Sequence, residues 1–415
     1  MAHDSAEMNE HTLIYDWNGV DKEPAAGAVV EFDDETLRDG LQSPSVTDPT
    51  IDEKIELLHM MVELGINAAD IGLPGAGPRA LAAVTALARE IADHKLPIAP
   101  NCAARTVQAD IDPIVEASQK AGCPIEASLF IGSSPIREYV ENWTLDKMLE
   151  RIESSVSYAL KKGLSVMFVT EDTTRANPDV LKRLYTTAIE CGARRVCVAD
   201  TVGHATTHGT KMLIRFINDV IKETGETVKV DWHGHRDRGL SVANSIAAVE
   251  AGANRVHGAA LGLGERCGNA PMELLLTNFR LLGYIDNDLS KLSAYCELVS
   301  SVCEVPIPFN LPVVGADAFR TCTGVHAAAV IKAMKKGHDW LANRVYSSVP
   351  AEWVGRQQVI EVGPMSGASN VTYWLTSHGY EPHDALVDTI LRTAKDRKQR
   401  LTEEEIREII QTVEK

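Results

Sequence analysis

The stretch YALKKGLSVMFV (158–169) carries a helical pattern into a glycine and then into an apolar β-type run. The same phrase recurs along the chain. It reads MVELG at Gly65 before ADIGL, SQKAG at Gly122 before EASLFI, AIECG at Gly192 before RVCVA, and AVEAG at Gly252 before RVHGAAL. A glycine in that place suits a left-handed helix C-cap, which other residues adopt at a steric cost. Helices alternating with apolar strands indicate a parallel α/β fold.

Eight strands are expected, at 29–33, 67–73, 97–101, 124–131, 165–170, 194–199, 228–233 and 254–260. Eight such units predict a closed (β/α)8 TIM barrel. The rival is a doubly wound open sheet, and the absence of GxGxxG after the first strand weakens its dinucleotide-binding form. A barrel takes about 250 residues, so the 415 residues leave room for an appendage. The expected division is an N-terminal arm over 1–28, a catalytic barrel over 29–285, a Pro-rich helical linker over 286–317 and a mostly helical C-terminal subdomain over 318–415. The final LTEEEIREIIQTVEK reads as an amphipathic helix with Thr402 as N-cap and Glu405 three residues later.

Composition excludes several classes. A net charge of −17 argues against a nucleic-acid partner, which needs a basic surface. No apolar run approaches the roughly 18 residues of a membrane span, and MAHDSAEMNEHT is polar, so a cytoplasmic protein is expected. The eight cysteines are scattered without a CxxC pair, which makes free thiols the default.

In a barrel the active site lies at the C-terminal ends of the strands. Strand 1 runs into DETLRDGLQ (34–42), which places Arg38 and Asp39 there. Strand 7 ends in DWHGHRD (231–237), with His233 and His235 two apart and therefore on one side. Strand 8 leads to GLGERCGN (262–269), with Asn269. A closed ring makes strands 7, 8 and 1 neighbours. Asp39, His233, His235 and Asn269 then form a mixed nitrogen and oxygen set suited to Zn, Mn, Co or Mg with open positions, rather than to a thiolate-rich structural zinc. Alone, HxH is a weak signal and RDG is usually a turn; position raises both.

LRDGLQ (37–42), EDTTR (171–175), ADTVG (199–203), HGHRDRGLSVANSIAAVEAGA (233–253) and GLGERCGNA (262–270) resemble the DRE-TIM metallolyases, most closely the 2-isopropylmalate synthase and homocitrate synthase branch. The likeness continues through AFRTCTGVHAAAVIKA (318–333), YSSVPAEWVG (346–355) and VGPMSGAS (362–369), so it covers roughly 29 to 400. It implies a metal-dependent Claisen condensation in amino-acid biosynthesis. Acetyl-CoA loses a methyl proton, the enolate attacks the ketone of a 2-oxo acid, and thioester hydrolysis frees CoA.

Under that resemblance Asp39, His233 and His235 hold a divalent metal with Asn269 close or coordinating, and Arg38 stabilises the developing oxyanion. Glu171 and Thr201 lie at the 2-oxo acid. His326, from the second subdomain of a partner chain in a homodimer or higher oligomer, belongs to the acid/base apparatus with Tyr346. Gln42 and Arg105, after strands 1 and 3, are further substrate-binding candidates. Each has a plainer reading: Glu171 as a helix N-terminal charge, Thr201 as a helix cap, His326 and Tyr346 as packing residues.

The chain departs from the branch in places. Leu41 stands where the branch has Glu, as in hydroxymethylglutaryl-CoA lyase, which also carries a functional cysteine near the place of Cys267. However, the loop has the short GERCGN form of the synthases, and the lyases lack the second subdomain; a small buried filler is the commoner role for such a cysteine. Arg236 and Arg238 flank Asp237 where synthases have Asn-Asp, and with Arg137 they suggest a substrate with an extra carboxylate. The alternative is that they pair outward with acidic neighbours. GPMSGAS departs from the usual Lys-His-Ser-Gly form. Without the added C-terminal domain of leucine-pathway synthases, leucine feedback through it is not expected. Lyase-type cleavage and a non-catalytic metal- or metabolite-binding barrel remain the competing readings.

Overall fold

The computed structural model describes residues 9–20 and 30–414. Among these, 30–306 form one compact unit and 9–20 with 307–414 form another. Much of the expected arm over 1–28 lies outside the described residues; within it Glu10–Leu13 makes a single turn capped by Asn9.

The first unit is a closed barrel of eight parallel strands in sequence order. They are β1 (Glu31–Asp34), β2 (Ala68–Asp70), β3 (Ala99–Arg105), β4 (Glu126–Gly132), β5 (Ser165–Glu171), β6 (Arg195–Asp200), β7 (Lys229–Gly234) and β8 (Arg255–Gly258). The ring closes where Glu31 to Asp34 pair with Arg255 to Gly258. The principal helices following the strands are α1 (Ile51–Glu63), α2 (Pro78–His94), α3 (Gln108–Ala121), α4 (Leu145–Lys161), α5 (Pro178–Glu190), α6 (Thr207–Thr224), α7 (Ser241–Glu250) and α8 (Met272–Leu281). The five recurring glycines all have positive φ, between 65° and 112°, as their capping role requires.

The third strand runs four residues beyond its expected end at 101, through Cys102, Ala103, Ala104 and Arg105. Alanine has low strand propensity, so the sequence pattern alone stops too early there. Pairing with β4 supplies the missing stabilisation.

Alternate strand residues face opposite sides. The outward face is apolar: Phe32 packs edge-on against Phe279 of α8 and Phe168 against Tyr185 of α5. The inward face carries many polar groups, with Asp33, Asn101, Ser128, Asp231, His233, Arg255 and His257 all buried, beside the apolar Ala103, Phe130, Met167, Val169 and Ala199. Barrel interiors are commonly filled by branched apolar side chains; here hydrogen bonds and ion pairs fill that space.

A ninth helix, α9 (Leu292–Val302), packs on α1 and on the turn Ala260–Gly262. Its buried Tyr295 hydroxyl donates to Asp34 Oδ2 at 2.7 Å and lies 3.1 Å from Thr36 Oγ1. Burial pushes the Asp34 carboxyl up to about 6 despite these bonds.

The second unit contains α10 (Gly324–Met334), α11 (Asp339–Arg344), α12 (Ala368–Ser377), α13 (Asp384–Lys395) and α14 (Glu403–Val413), with a two-stranded parallel sheet of β9 (Arg320–Thr321) and β10 (Val359–Ile360). Trp374, Leu386, Ile390 and Ile406 anchor one of its apolar clusters. Thr402 and Glu405 form the expected capping box. Among the described residues no helix is long and apolar enough to cross a membrane.

Replacing Tyr295 with Phe should lower unfolding free energy by about 1–3 kcal/mol, because Asp34 then loses a buried donor. Urea denaturation monitored by circular dichroism measures this.

Candidate active site

The C-terminal ends of the strands open into a cavity of about 300 Å³. Its wall includes Arg38, Asp39, Gln42, Glu171, Thr201, His233 and His235 from the sequence-derived set, together with Glu35, Asp70, His257, Glu265 and Arg266.

Asp39, His233 and His235 meet as three buried ligand groups. His233 Nε2 and His235 Nε2 are 3.4 Å apart, and each lies 3.6 and 3.5 Å respectively from Asp39 Oδ2. A point equidistant from three atoms so spaced lies about 2.0 Å from each, an ordinary bond length from zinc to nitrogen or carboxylate oxygen. The second nitrogens settle the tautomers. His235 Nδ1 lies 3.2 Å from the Gly268 carbonyl, so it donates there. His233 Nδ1 lies 3.3 Å from Glu35 Oε1. Both Nε2 lone pairs are thereby left for a cation. Burial and the neighbouring His233 push His235 down to about 4, so it is neutral at pH 7. Burial alone would raise Asp39, but the Arg38 guanidinium pulls the other way and the carboxyl sits well below its ordinary value.

Asn269, expected as a fourth ligand, sits across a backbone bridge from His235 and is absent from the cavity wall. Its Nδ2 donates to the Leu263 carbonyl at 2.9 Å, while Oδ1 is buried without a hydrogen-bond partner. An amide oxygen left buried without a partner in this loop is compatible with a fourth ligand. The backbone is shaped around it: Gly264 has φ 143°, and a Cβ there would fall 2.7 Å from Asp39 Oδ1 and 2.3 Å from Asn269 Nδ2.

Arg38 is held by three carboxylates: Glu35 at 2.6 Å, Asp39 at 3.2 Å and Asp70 at 3.0 Å. Thr201 Oγ1 accepts from the Asp172 amide at 2.8 Å, which leaves its proton for a ligand. Glu171 lies 3.3 Å from Arg137; burial raises its carboxyl above the ordinary value although Arg137 pulls the other way.

Other expected residues are placed elsewhere. Arg105 forms an ion pair with Asp110 at 2.7 Å and is mostly exposed. Arg236 donates to the Cys267 carbonyl and Arg238 to the His204 carbonyl. None of these three lines the cavity, nor does Arg137. Cys267 is exposed, a correction to the buried filler expected from sequence, and it too is absent from the cavity wall. His326 and Tyr346 belong to the second unit, where their rings lie 4.2 Å apart.

Glu35, Asp70, His257 and Arg266 were not singled out from the sequence. Alternation along RVHG could have flagged His257, which faces inward two residues after Arg255. Burial works against charge on His257, but Asp33, Asp231 and Glu35 outweigh it and hold its pKa up at about 9.

Fold and site together define a metal-dependent (β/α)8-barrel enzyme class with one carboxylate, two imidazoles and an amide at the strand ends. The HMGL-like family model matches residues 29–300. The chain is 34% identical to homocitrate synthase AksA of Methanopyrus kandleri over 387 residues, 92% of this chain and 91% of that one. It is also 34% identical to a probable 2-isopropylmalate synthase of Ignicoccus hospitalis over 393 residues, 92% of each. The HMG-CoA lyase structure from Brucella melitensis shares the fold, with TM-score 0.54 and 18% identity over 67% of this chain and 99% of that chain. The protein belongs to the HMGL-like (DRE-TIM) family.

Adding Mn2+ to metal-stripped protein at 100 times its Kd should raise stability by about 2.7 kcal/mol. His235→Ala should abolish that gain, which thermal melts with and without Mn2+ will read.

Proposed function

We infer that this protein is an acyltransferase that condenses acetyl-CoA with a 2-oxo acid, giving a 2-alkylmalate-type product and free CoA. The observation that carries the reading is the Asp39–His233–His235 triangle, with Arg38 beside it, at the wall of a closed-barrel cavity. A divalent ion bound there supplies a Lewis acid for the ketone of the 2-oxo acid.

The chain's own residues do the rest. Arg38 is pre-oriented by its three carboxylates, so its charge faces the developing oxyanion without reorganisation. Thr201 donates its free hydroxyl proton to the 2-oxo acid, and Glu171 and Gln42 border the same space. His326 with Tyr346, supplied by the partner chain of a homodimer, moves protons at the acetyl methyl and the new alkoxide; imidazole suits this near neutral pH. The setting is cytoplasmic amino-acid biosynthesis.

The cavity also favours a substrate class. Ala103, Phe130, Met167 and Val169 give it apolar wall on β3 to β5, and Leu73 and Ala199 add to it after β2 and beside His233. Its two arginines are already engaged, Arg38 as above and Arg266 by Asp237 at 3.0 Å. Arg236 and Arg238 bond to backbone elsewhere. A 2-oxo monocarboxylic acid with an apolar substituent therefore fits better than one with a second carboxylate.

A thiol-release assay with acetyl-CoA, Mn2+ and a panel of 2-oxo acids tests this. Branched-chain 2-oxo monocarboxylates should turn over, with 2-oxoglutarate at least about tenfold poorer, the effect of roughly 1.4 kcal/mol. Arg38→Ala should reduce kcat by about 10²–10³, as loss of one oxyanion donor does. No CoA release with any 2-oxo acid, alongside cleavage of a hydroxyacyl-CoA, would replace the synthase reading by the lyase one.

A further inference from the structure

We propose that Glu35 is a positioning residue that sets both the metal-facing ring of His233 and the guanidinium of Arg38, itself held in place by His257 and Asp231. The proposal rests on Asp39, His233 and His235 being the cation site.

Glu35 follows β1 directly, and its side chain is 3% exposed. One oxygen, Oε2, lies 2.6 Å from Arg38 Nη2. The other, Oε1, lies 3.3 Å from His233 Nδ1 and 2.9 Å from His257 Nδ1. A single carboxylate thus links the nitrogen behind the metal-facing Nε2 to the cation that flanks the same site. Accepting the Nδ1 proton fixes the His233 tautomer and its ring plane, the usual work of a carboxylate behind a metal-binding imidazole.

The support beneath is equally specific. His257 Nε2 lies 3.0 Å from Asp231 Oδ2, so both its ring nitrogens face carboxylates and both must donate. Asp231 in turn accepts from Arg255 Nε at 2.6 Å and from Arg195 Nη1 at 2.6 Å. The chain alternates in sign from Arg255 through Asp231, His257 and Glu35 to Arg38. Buried ion pairs of this kind are often no more stable than apolar packing of the same volume. Their presence under the site, with two linked contacts into it, points to orientation rather than stability.

The test is Mn2+ affinity of the metal-stripped full-length protein, followed by titration, with circular dichroism and Tm measured alongside. Glu35→Gln keeps the shape but loses the charge and one acceptor. It should weaken Mn2+ binding about 10–100-fold and lower kcat more than it changes KM for the 2-oxo acid. Glu35→Asp, which restores the charge, should recover part of the affinity. Asn101→Ala cuts the same interior network where Asn101 donates to both Asp33 oxygens at 2.9 Å; it should lower Tm and leave affinity unchanged. Should Glu35→Gln not fold, His257→Gln replaces it, with an expected severalfold loss of affinity.

Native-like Glu35→Gln protein that binds Mn2+ within twofold of the parent overturns the proposal, as does the same result for His257→Gln in its place. An equal loss of affinity in Asn101→Ala also overturns it, because the effect would then be general loosening. His233→Ala separates the two levels: undiminished Mn2+ binding in that variant removes the cation-site reading itself. A large loss there with none in Glu35→Gln removes only the positioning role.

Discussion

Glu35, Asp231 and Asp33 are three carboxylates withdrawn from water inside one barrel, and the arrangement of cations around them governs what the interior can hold. Each has a positive partner within hydrogen-bonding or ion-pair distance: Arg38 for Glu35, Arg255 and Arg195 for Asp231, and Arg255 at 3.4 Å for Asp33. Removing Arg255, which Asp231 and Asp33 share, would leave Asp33 without its arginine, and a stranded buried charge costs far more than the pair contributes. The interior is therefore a coupled set. The barrel gains its apolar stabilisation outside the ring instead, where Phe32, Phe168 and Trp232 pack toward the helices or lie fully buried. That division of labour frees the inner face for polar chemistry.

The segment after β8 shows how backbone geometry serves the same end. Leu261, Gly262, Gly264, Arg266 and Gly268 all have positive φ within eight residues. Leucine and arginine take that conformation at a steric cost. The Glu273 carboxylate accepts from the Leu261 amide at 2.9 Å, and the Asn269 amide donates to the Gly262 carbonyl at 3.2 Å, so the loop is pinned from two sides. The result brings Asn269 and the Glu265 amide to Asp39, where Glu265 N–H donates to Oδ1 at 3.2 Å. Strain is held where the loop meets the Asp39 cluster.

The barrel and the clustering of Asp39, His233 and His235 were legible because both depend on local pattern. Helix, glycine and strand repeat visibly, and HxH on a strand must share a face. Asn269 needed the resemblance as well, since an amide in a glycine-rich loop has no pattern of its own. Glu35 was not legible, and His257 only through its strand alternation: the contact between them joins positions more than 200 apart. Arg236 and Arg238 misled for the converse reason. Nearness in sequence to His235 does not set the direction of a long side chain, and backbone carbonyls at Cys267 and His204 captured them. Strand ends also slipped where alanines hid β3.

A chain of net charge −17 would repel the two anionic substrates proposed here if charge acted as a total. It does not, because exposed charges are screened over about 8–10 Å at physiological salt, whereas a cation in a low-dielectric recess is screened much less. At the cavity wall the fixed positive side chains are Arg38, Arg266 and His257, and all three are already balanced by carboxylates. An ion held by the proposed Asp39 set would add the surplus positive charge at that part of the wall, with Ala103, Phe130, Met167 and Val169 supplying apolar wall on β3 to β5. A substrate with its carboxylate and ketone together at one end and an apolar substituent at the other matches that distribution. A second carboxylate would have to be buried against Met167, Val169 and Leu73 without a free partner, and the desolvation of an unpaired charge is the larger energy. The proposed selectivity against dicarboxylic 2-oxo acids would then follow from arginines that are already paired.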